Sequence, residues 1–270
     1  MRLQSAATVL ARHLFRFKFM YIAFLLIAAA IYVLTHLSIP ESATPEPASA
    51  NYEYESYIAD NHITLQVIKT QPKDIHLRRI DNNVTASGIV GVNGGFFWEK
   101  QLLSIAVHND VPVAGEAGVR GSGWFNAKYA RGTLVYDGQT QAYSVQVVSD
   151  ASELAVTDRS DYWAQGGISL NLQDDAGWRK QADTEAMPAP DDTRLRSAMA
   201  YAEDGVYLIV TDIGCTAEDF RAAIQSYSSS LPNRLIDGIF LDGDGSSQLL
   251  TREAKLMGDG RPVVQMIGVD

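Results

Sequence analysis

The stretch FLDGDGSS, residues 240–247, sets two carboxylates and two hydroxyls on a glycine-rich backbone directly after an apolar run. Asp242 and Asp244 are the groups there that can take up a proton, attack a carbon or hold a cation. Gly243 and Gly245 let the chain bend and present its N–H groups to a ligand's oxygens. Ser246 and Ser247 can donate to a sugar hydroxyl or orient a carboxylate. From Asp242 onward, Asp244, Ser246 and Glu253 fall at calcium-loop spacing, but Ser247 stands where that loop needs glycine, and a strand enters it. No cofactor is required by this set. A divalent cation near Asp242 and Asp244 stays open as an alternative, with its ligands undefined.

Four further segments carry groups of the same kind. GVNGGFF (91–97) offers Asn93, Gly94 and Gly95, and AQGGISL (164–170) offers Gln165, Gly166 and Gly167. RLRSAMAY (194–201) carries Arg194 and Arg196, whose guanidinium forks match the oxygens of a phosphate. GVRGSGWF (118–125) surrounds Arg120 with glycines. Each has a plainer reading: tight turns for the glycine pairs, a solvated strand for the arginines. Trp98 and Trp124 are candidate sugar platforms, with a packing role as the plainer reading.

Other chemistries lack their residues. Beyond residue 40 the histidines are His62, His76 and His108, widely separated, and no HExxH, zinc spacing, GxSxG elbow, Walker A or dinucleotide fingerprint occurs. Cys215 is the single cysteine, so no internal disulfide forms. A net charge of −10 excludes nucleic acid as a partner.

The elements that must position these groups read mainly as short strands. ITLQVIK and AYSVQVV alternate in the half-buried manner, and Asp137-Gly138 marks a hairpin. GVYLIV (205–210) is a fully apolar strand. Thr216 is a helix N-cap, and Phe220, Ala223, Ile224 and Tyr227 recur on one helical face. LIDGIFL is the next apolar strand. Such a strand–helix–strand unit predicts two parallel neighbours, with Asp212 and Asp242 emerging at one sheet edge. Residues 174–193 read as a long surface loop. The expected fold class is therefore α+β: a strand-rich mixed-sheet domain with a strand–helix–strand unit near the C-terminus, preceded by one transmembrane helix.

That helix is expected at residues 19–39, an uncharged run long enough to cross a bilayer, after Arg2, Arg12, Arg16 and Lys18. The expected organisation is a cytoplasmic basic segment (1–18), a lipid-spanning anchor (19–39), a Pro/Ser/Ala/Glu-rich linker (40–60) and a domain (61–270) in the periplasm or outside the cell.

In their order, NGGFF, QGGISL, RSAMAY, LIVTDIG, LDGDGSS and the closing GRPVVQMIGV resemble the phosphodiester glycosidase family across residues 61–270. In that family the last motif reads LDGGGSS, so Asp244 replaces a glycine. The resemblance implies a hydrolase that splits a sugar from a phosphodiester-linked glycan and leaves a phosphate monoester. It implies Asp242 as base or nucleophile, Arg196 on the phosphate with Arg120 as helper, and Asp212 at the same edge. Asn93, Gly94, Gly95, Gln165, Gly166, Gly167, Gly243, Asp244, Gly245, Ser246 and Ser247 would contact substrate. Two other readings stay open: a non-catalytic envelope module that binds phosphoglycans, and a metal-dependent phosphodiesterase.

Overall fold

The structure, a computed structural model, describes residues 50–270 together with Leu26 and Ile27. Its centre is a six-stranded sheet ordered Tyr52–Ile58, Thr64–Thr70, Gly205–Thr211, Ser197–Ala202, Asp237–Phe240, Ile168–Ser169. Every pairing in it is antiparallel. The apolar runs do not alternate because both faces are covered. Ala198, Ala200, Ala202, Tyr207 and Ile209 pack with Phe220, Ala223, Ile224 and Tyr227 of the helix Ala217–Ser230. Met199, Tyr201, Val206, Leu208 and Val210 turn the other way, into a second core with Val90, Val92, Leu134 and Ile267. The alanines on the first face leave room for the helix, and Thr216 caps it by accepting from the Asp219 N–H.

The second core belongs to two five-stranded sheets. One contains Val90–Asn93 and the closing strand Val263–Val269. The other contains the Arg131–Asp137/Ala142–Val148 hairpin and Tyr162–Gly166.

Several expectations are corrected. Among the described residues the fold is mostly β-sheet, 40% strand against 16% helix, rather than α+β. The strand–helix–strand unit exists, but its strands are not neighbours. Ser197–Ala202 lies between them, antiparallel to both. A two-residue turn, Glu203-Asp204, closes a local hairpin with Gly205–Thr211, and that short connection takes the central position. Residues 52–58, read as linker, form an edge strand paired with Thr64–Thr70. The supposed surface loop at 174–193 contains a helix, Trp178–Thr184, that buries Trp178 and Ala182.

The expected single-pass membrane protein is also corrected: among the described residues no helix is long and apolar enough to cross a membrane. The segment expected to span, 19–39, lies outside the described residues except for Leu26 and Ile27, which are helical and exposed.

Candidate active site

Antiparallel pairing brings the beginning of Ser197–Ala202 to the same sheet edge as the ends of its two neighbours. Arg196, Asp212 and Asp242 therefore leave the sheet on one side. Backbone bonds fix the junction: Leu241 N–H donates to the Ser197 carbonyl at 2.8 Å and Thr211 N–H to that of Arg196 at 2.9 Å.

The end of Val90–Asn93 reaches this edge from the second sheet. Asn93, 1% exposed, donates through Nδ2 to the Asp242 carbonyl at 2.8 Å. Its Oδ1 accepts from the Ser197 hydroxyl at 2.9 Å and the Gln248 N–H at 3.1 Å. Asn93 is thus a clamp beneath the site, joining two sheets. The Gly94 N–H donates to the Gln265 carbonyl at 2.9 Å and the Gly95 N–H to Gln265 Oε1 at 3.0 Å. Neither N–H is left for a ligand. A Cβ on Gly94 would fall on the Gln265 side chain, which explains the glycine.

Beyond Leu241 the chain makes one short turn, Asp244–Ser246. Asp244 sits at φ 57°, the left-handed region where glycine is at ease and aspartate is among the few tolerated alternatives. Its Oδ2 accepts from Arg194 Nη1 at 2.8 Å. Ser246 is buried and bonds the Asp242 carboxylate, whose Oδ1 also accepts from the Gly243 N–H at 3.1 Å.

Asp242, Gly243, Asp244 and Ser246 line a cavity of about 440 Å³ with Arg194, Arg196, Arg261 and the exposed Trp98. Burial pushes the Asp242 carboxyl up to about 6, against the bonds from Ser246 and Gly243 and the pull of Arg261. Arg196 is 5% exposed. Its Nε donates to the Cys215 carbonyl at 3.1 Å and its Nη2 to the Ala189 and Asp192 carbonyls at 2.9 and 2.8 Å, which leaves Nη1 for the cavity. Burial holds its pKa below the usual guanidinium value. Arg194 and Arg261 are more exposed, bonded to Asp192 at 2.8 Å and Asp259 at 2.8 Å respectively.

One wall of the cavity is Met187–Ala189. Ala186 and Ala189 hold φ of 54° and 45°, costing each about 1–2 kcal/mol. Buried groups keep the segment there. Glu185, 0% exposed, accepts at Oε2 from the Gly132 and Ser169 N–H groups, each at 2.8 Å. Arg131 Nε donates to the Glu185 carbonyl at 2.9 Å, and Arg196 holds the far end. Strain retained by so many contacts marks a segment whose shape matters.

The remaining expected residues lie elsewhere. Asp212 is exposed at the sheet edge, accepting from Gln66 Nε2 at 3.2 Å, and does not line the cavity. Gln165 is fully buried, accepting from Gln265 Nε2 at 2.8 Å and donating to the Gly166 carbonyl at 3.0 Å. Gly166 and Gly167 donate to the Ile105 and Gly132 carbonyls at 2.7 and 2.8 Å. Gly245 and Ser247 are buried in the turn and its exit, and the Ser247 hydroxyl has no hydrogen-bond partner among the described residues. Arg120 lines a different cavity, and Trp124 packs against a core containing Ile105 and Val107. Among the described residues no group of three or more His, Cys, Asp and Glu side chains could hold a metal, and Asp244 is already engaged by Arg194.

Arg261 is a site residue that sequence reading missed. Its signal was the turn Gly258-Asp259-Gly260 just before it, whose glycines take φ of 58° and 87°.

No protein-family model and no curated protein matches the chain by sequence. Among solved structures, it is similar to the catalytic domain of zebrafish N-acetylglucosamine-1-phosphodiester alpha-N-acetylglucosaminidase, auto-inhibited by its pro-peptide. The TM-score is 0.54 at 12% identity, covering 82% of each chain. A hypothetical protein from Synechocystis matches with a TM-score of 0.46 at 15% identity, covering 81% of this chain and 61% of that one. The first of these is a distant likeness of fold.

Proposed function

We propose that the chain is a hydrolase that cleaves a sugar from a phosphodiester, breaking the bond between the anomeric carbon and the phosphate oxygen. One observation carries this reading: a carboxyl raised to about 6 lies on the floor of a cavity lined by three guanidinium groups and an exposed tryptophan. The likeness to the catalytic domain of a phosphodiester glycosidase supports it at the level of fold.

The chemistry divides between the two kinds of group. As the glycosidic bond breaks, positive charge develops at the anomeric carbon, and the ionised Asp242 serves as nucleophile or as base for a water. A phosphate monoester leaves readily, so its negative charge needs holding more than protonating. Arg196 Nη1 and the more exposed Arg194 and Arg261 supply that. Ser246 and the Gly243 N–H keep the Asp242 carboxylate in place. Trp98 offers a flat apolar face to the sugar ring.

The test is turnover of an N-acetylglucosamine-1-phosphodiester by the full-length chain in ¹⁸O-labelled water. The expected result is label in the free sugar and none in the phosphate, with Asp242→Asn inactive. Label in the phosphate would overturn the reading in favour of cleavage at phosphorus.

A further inference from the structure

A second cavity, of about 410 Å³, has no part in the chemistry above. Arg120, Lys128 and Tyr129 line it, with Leu103 and Phe125 supplying apolar surface. The partition between the two is a stack. The Arg131 guanidinium carbon lies 5.0 Å from the centre of the Phe96 ring, which lines the first cavity, and 5.6 Å from that of Tyr129, which lines the second.

The charges of the second cavity differ from most on this acidic surface. Arg78, Arg79, Arg159, Arg179, Arg221 and Arg261 each reach a carboxylate. No hydrogen bond or ion pair is found for Arg120 or Lys128 among the described residues, and both are exposed. Lys128 is held at φ 72°, an uncommon conformation for a residue with a side chain. Asp150, the one carboxylate lining the cavity, is turned to cap the Ala151–Glu153 turn, its Oδ1 accepting from the Ser152 N–H at 2.8 Å. Tyr129, 46% exposed, lines the cavity with the two cations and carries Arg131 over its ring.

We infer that the second cavity is a subsite for the continuing chain of an anionic glycan, so that the substrate is a phosphodiester-linked oligosaccharide engaged across both cavities. The inference rests on the reading of the first cavity and names its substrate class. Tyr129 stacks on a sugar ring of a unit beyond the scissile bond. Arg120 and Lys128 hold that unit's phosphate, one as a fork and the other as a point charge.

Binding is measured with the full-length Asp242→Asn variant, which separates affinity from turnover. The probes are a single N-acetylglucosamine-1-phosphodiester and a phosphodiester-linked tetramer of the same unit. The tetramer is expected to bind about tenfold tighter or better, and Arg120→Gln with Lys128→Asn to remove most of that advantage while leaving the single unit unchanged. Asparagine tolerates the Lys128 backbone, so the double variant should retain its thermal midpoint. Tyr129→Ala should act on the tetramer alone. Equal affinity for the two probes, failure of the tetramer to bind, or a double variant indistinguishable from its parent overturns the inference. Tetramer binding that depends on Arg120 and Lys128, with wild type cleaving neither probe, would leave the subsite standing and the hydrolase reading fallen. Cleavage without any length dependence would do the reverse.

Discussion

Two glycine-rich turns meet at the candidate site, and they differ in where their side chains face rather than in how their N–H groups are used. At Asn93-Gly94-Gly95 every backbone donor is consumed inside the protein, by Gln248 and Gln265, and a side chain at either glycine would meet packed atoms: Gln265 of the adjacent strand at Gly94, Ser104 and the Gly166 carbonyl at Gly95. At Asp242-Gly243-Asp244 the three N–H groups are likewise bonded, to the Gly94 carbonyl, Asp242 Oδ1 and the Leu195 carbonyl, but the chain opens onto a cavity and the side chains stay partly accessible. Both turns are glycine-rich for packing, and only the second turns its side chains toward a cavity. A row of letters records the shared need for small residues and not which kind of neighbour imposes it.

The strongest break of this contrast is at Asp242, the proposed catalytic carboxylate. Asp242→Asn should lower kcat/KM for the phosphodiester by about 10²–10⁴-fold. It should also stabilise the fold. The folded-state pKa of Asp242 is raised, so burying its ionised form opposes folding. That opposition is absent below the unfolded pKa, grows as pH rises through about 6 and is constant above. At pH 8 the variant should gain on the order of 2 kcal/mol over wild type, and at pH 4 almost nothing. Urea unfolding at the two pH values checks this. Equal gains at both would show that the burial of charge is not the cause.

At the Asn93-Gly94-Gly95 turn the same kind of measurement should go the other way. Gly95→Ala sets a Cβ against the Ser104 side chain and the Gly166 carbonyl, at 2.6 and 2.8 Å. Overpacking of this kind costs about 1–3 kcal/mol. Chemical denaturation should show that loss, with kcat per folded molecule reduced far less than in Asp242→Asn. A stable, inactive Gly95→Ala would mean that this turn, too, faces substrate.

The pH–rate profile sharpens the assignment further. With Asp242 acting ionised as proposed, kcat/KM should rise tenfold per pH unit below about 6 and level off above it. Asp244→Asn should move the inflection slightly downward, since the Asp244 charge adds to the upward push on Asp242. An upward move would break the electrostatic account.

What the sequence revealed follows the same division. The helix Ala217–Ser230, its Thr216 cap and its buried face were readable because cap and periodicity are local. The shared sheet edge of Asp212 and Asp242 was readable too, since the strands around a crossover run parallel even when a third strand separates them. The intervening strand was not, because pairing order depends on which segments close first. Burial on both faces also erased the alternation that marks an antiparallel strand. Arg196 was picked out as a phosphate fork, yet its Nη2 braces the cavity wall and its Nε the Cys215 carbonyl. That task is set by carbonyls of Ala189 and Asp192, which carry no trace in residue type.

The smallest effect concerns Asp244, the residue at which the resemblance in sequence breaks. Asp244 occupies a left-handed position that suits glycine, and its carboxylate takes one arm of Arg194. Asp244→Gly should therefore keep the turn and relieve on the order of 1 kcal/mol of backbone strain. It should leave Arg194 bonded to Asp192 alone, with Nη1 free for a phosphate oxygen. The exposed pair contributes little stability itself, so the expected change is in substrate binding: KM for the phosphodiester falls a few-fold and kcat is nearly constant. An unchanged KM would mean that Arg194 does not reach the substrate. A lower kcat would mean that the second carboxylate works with the first, drawing the two aspartates together into one catalytic unit.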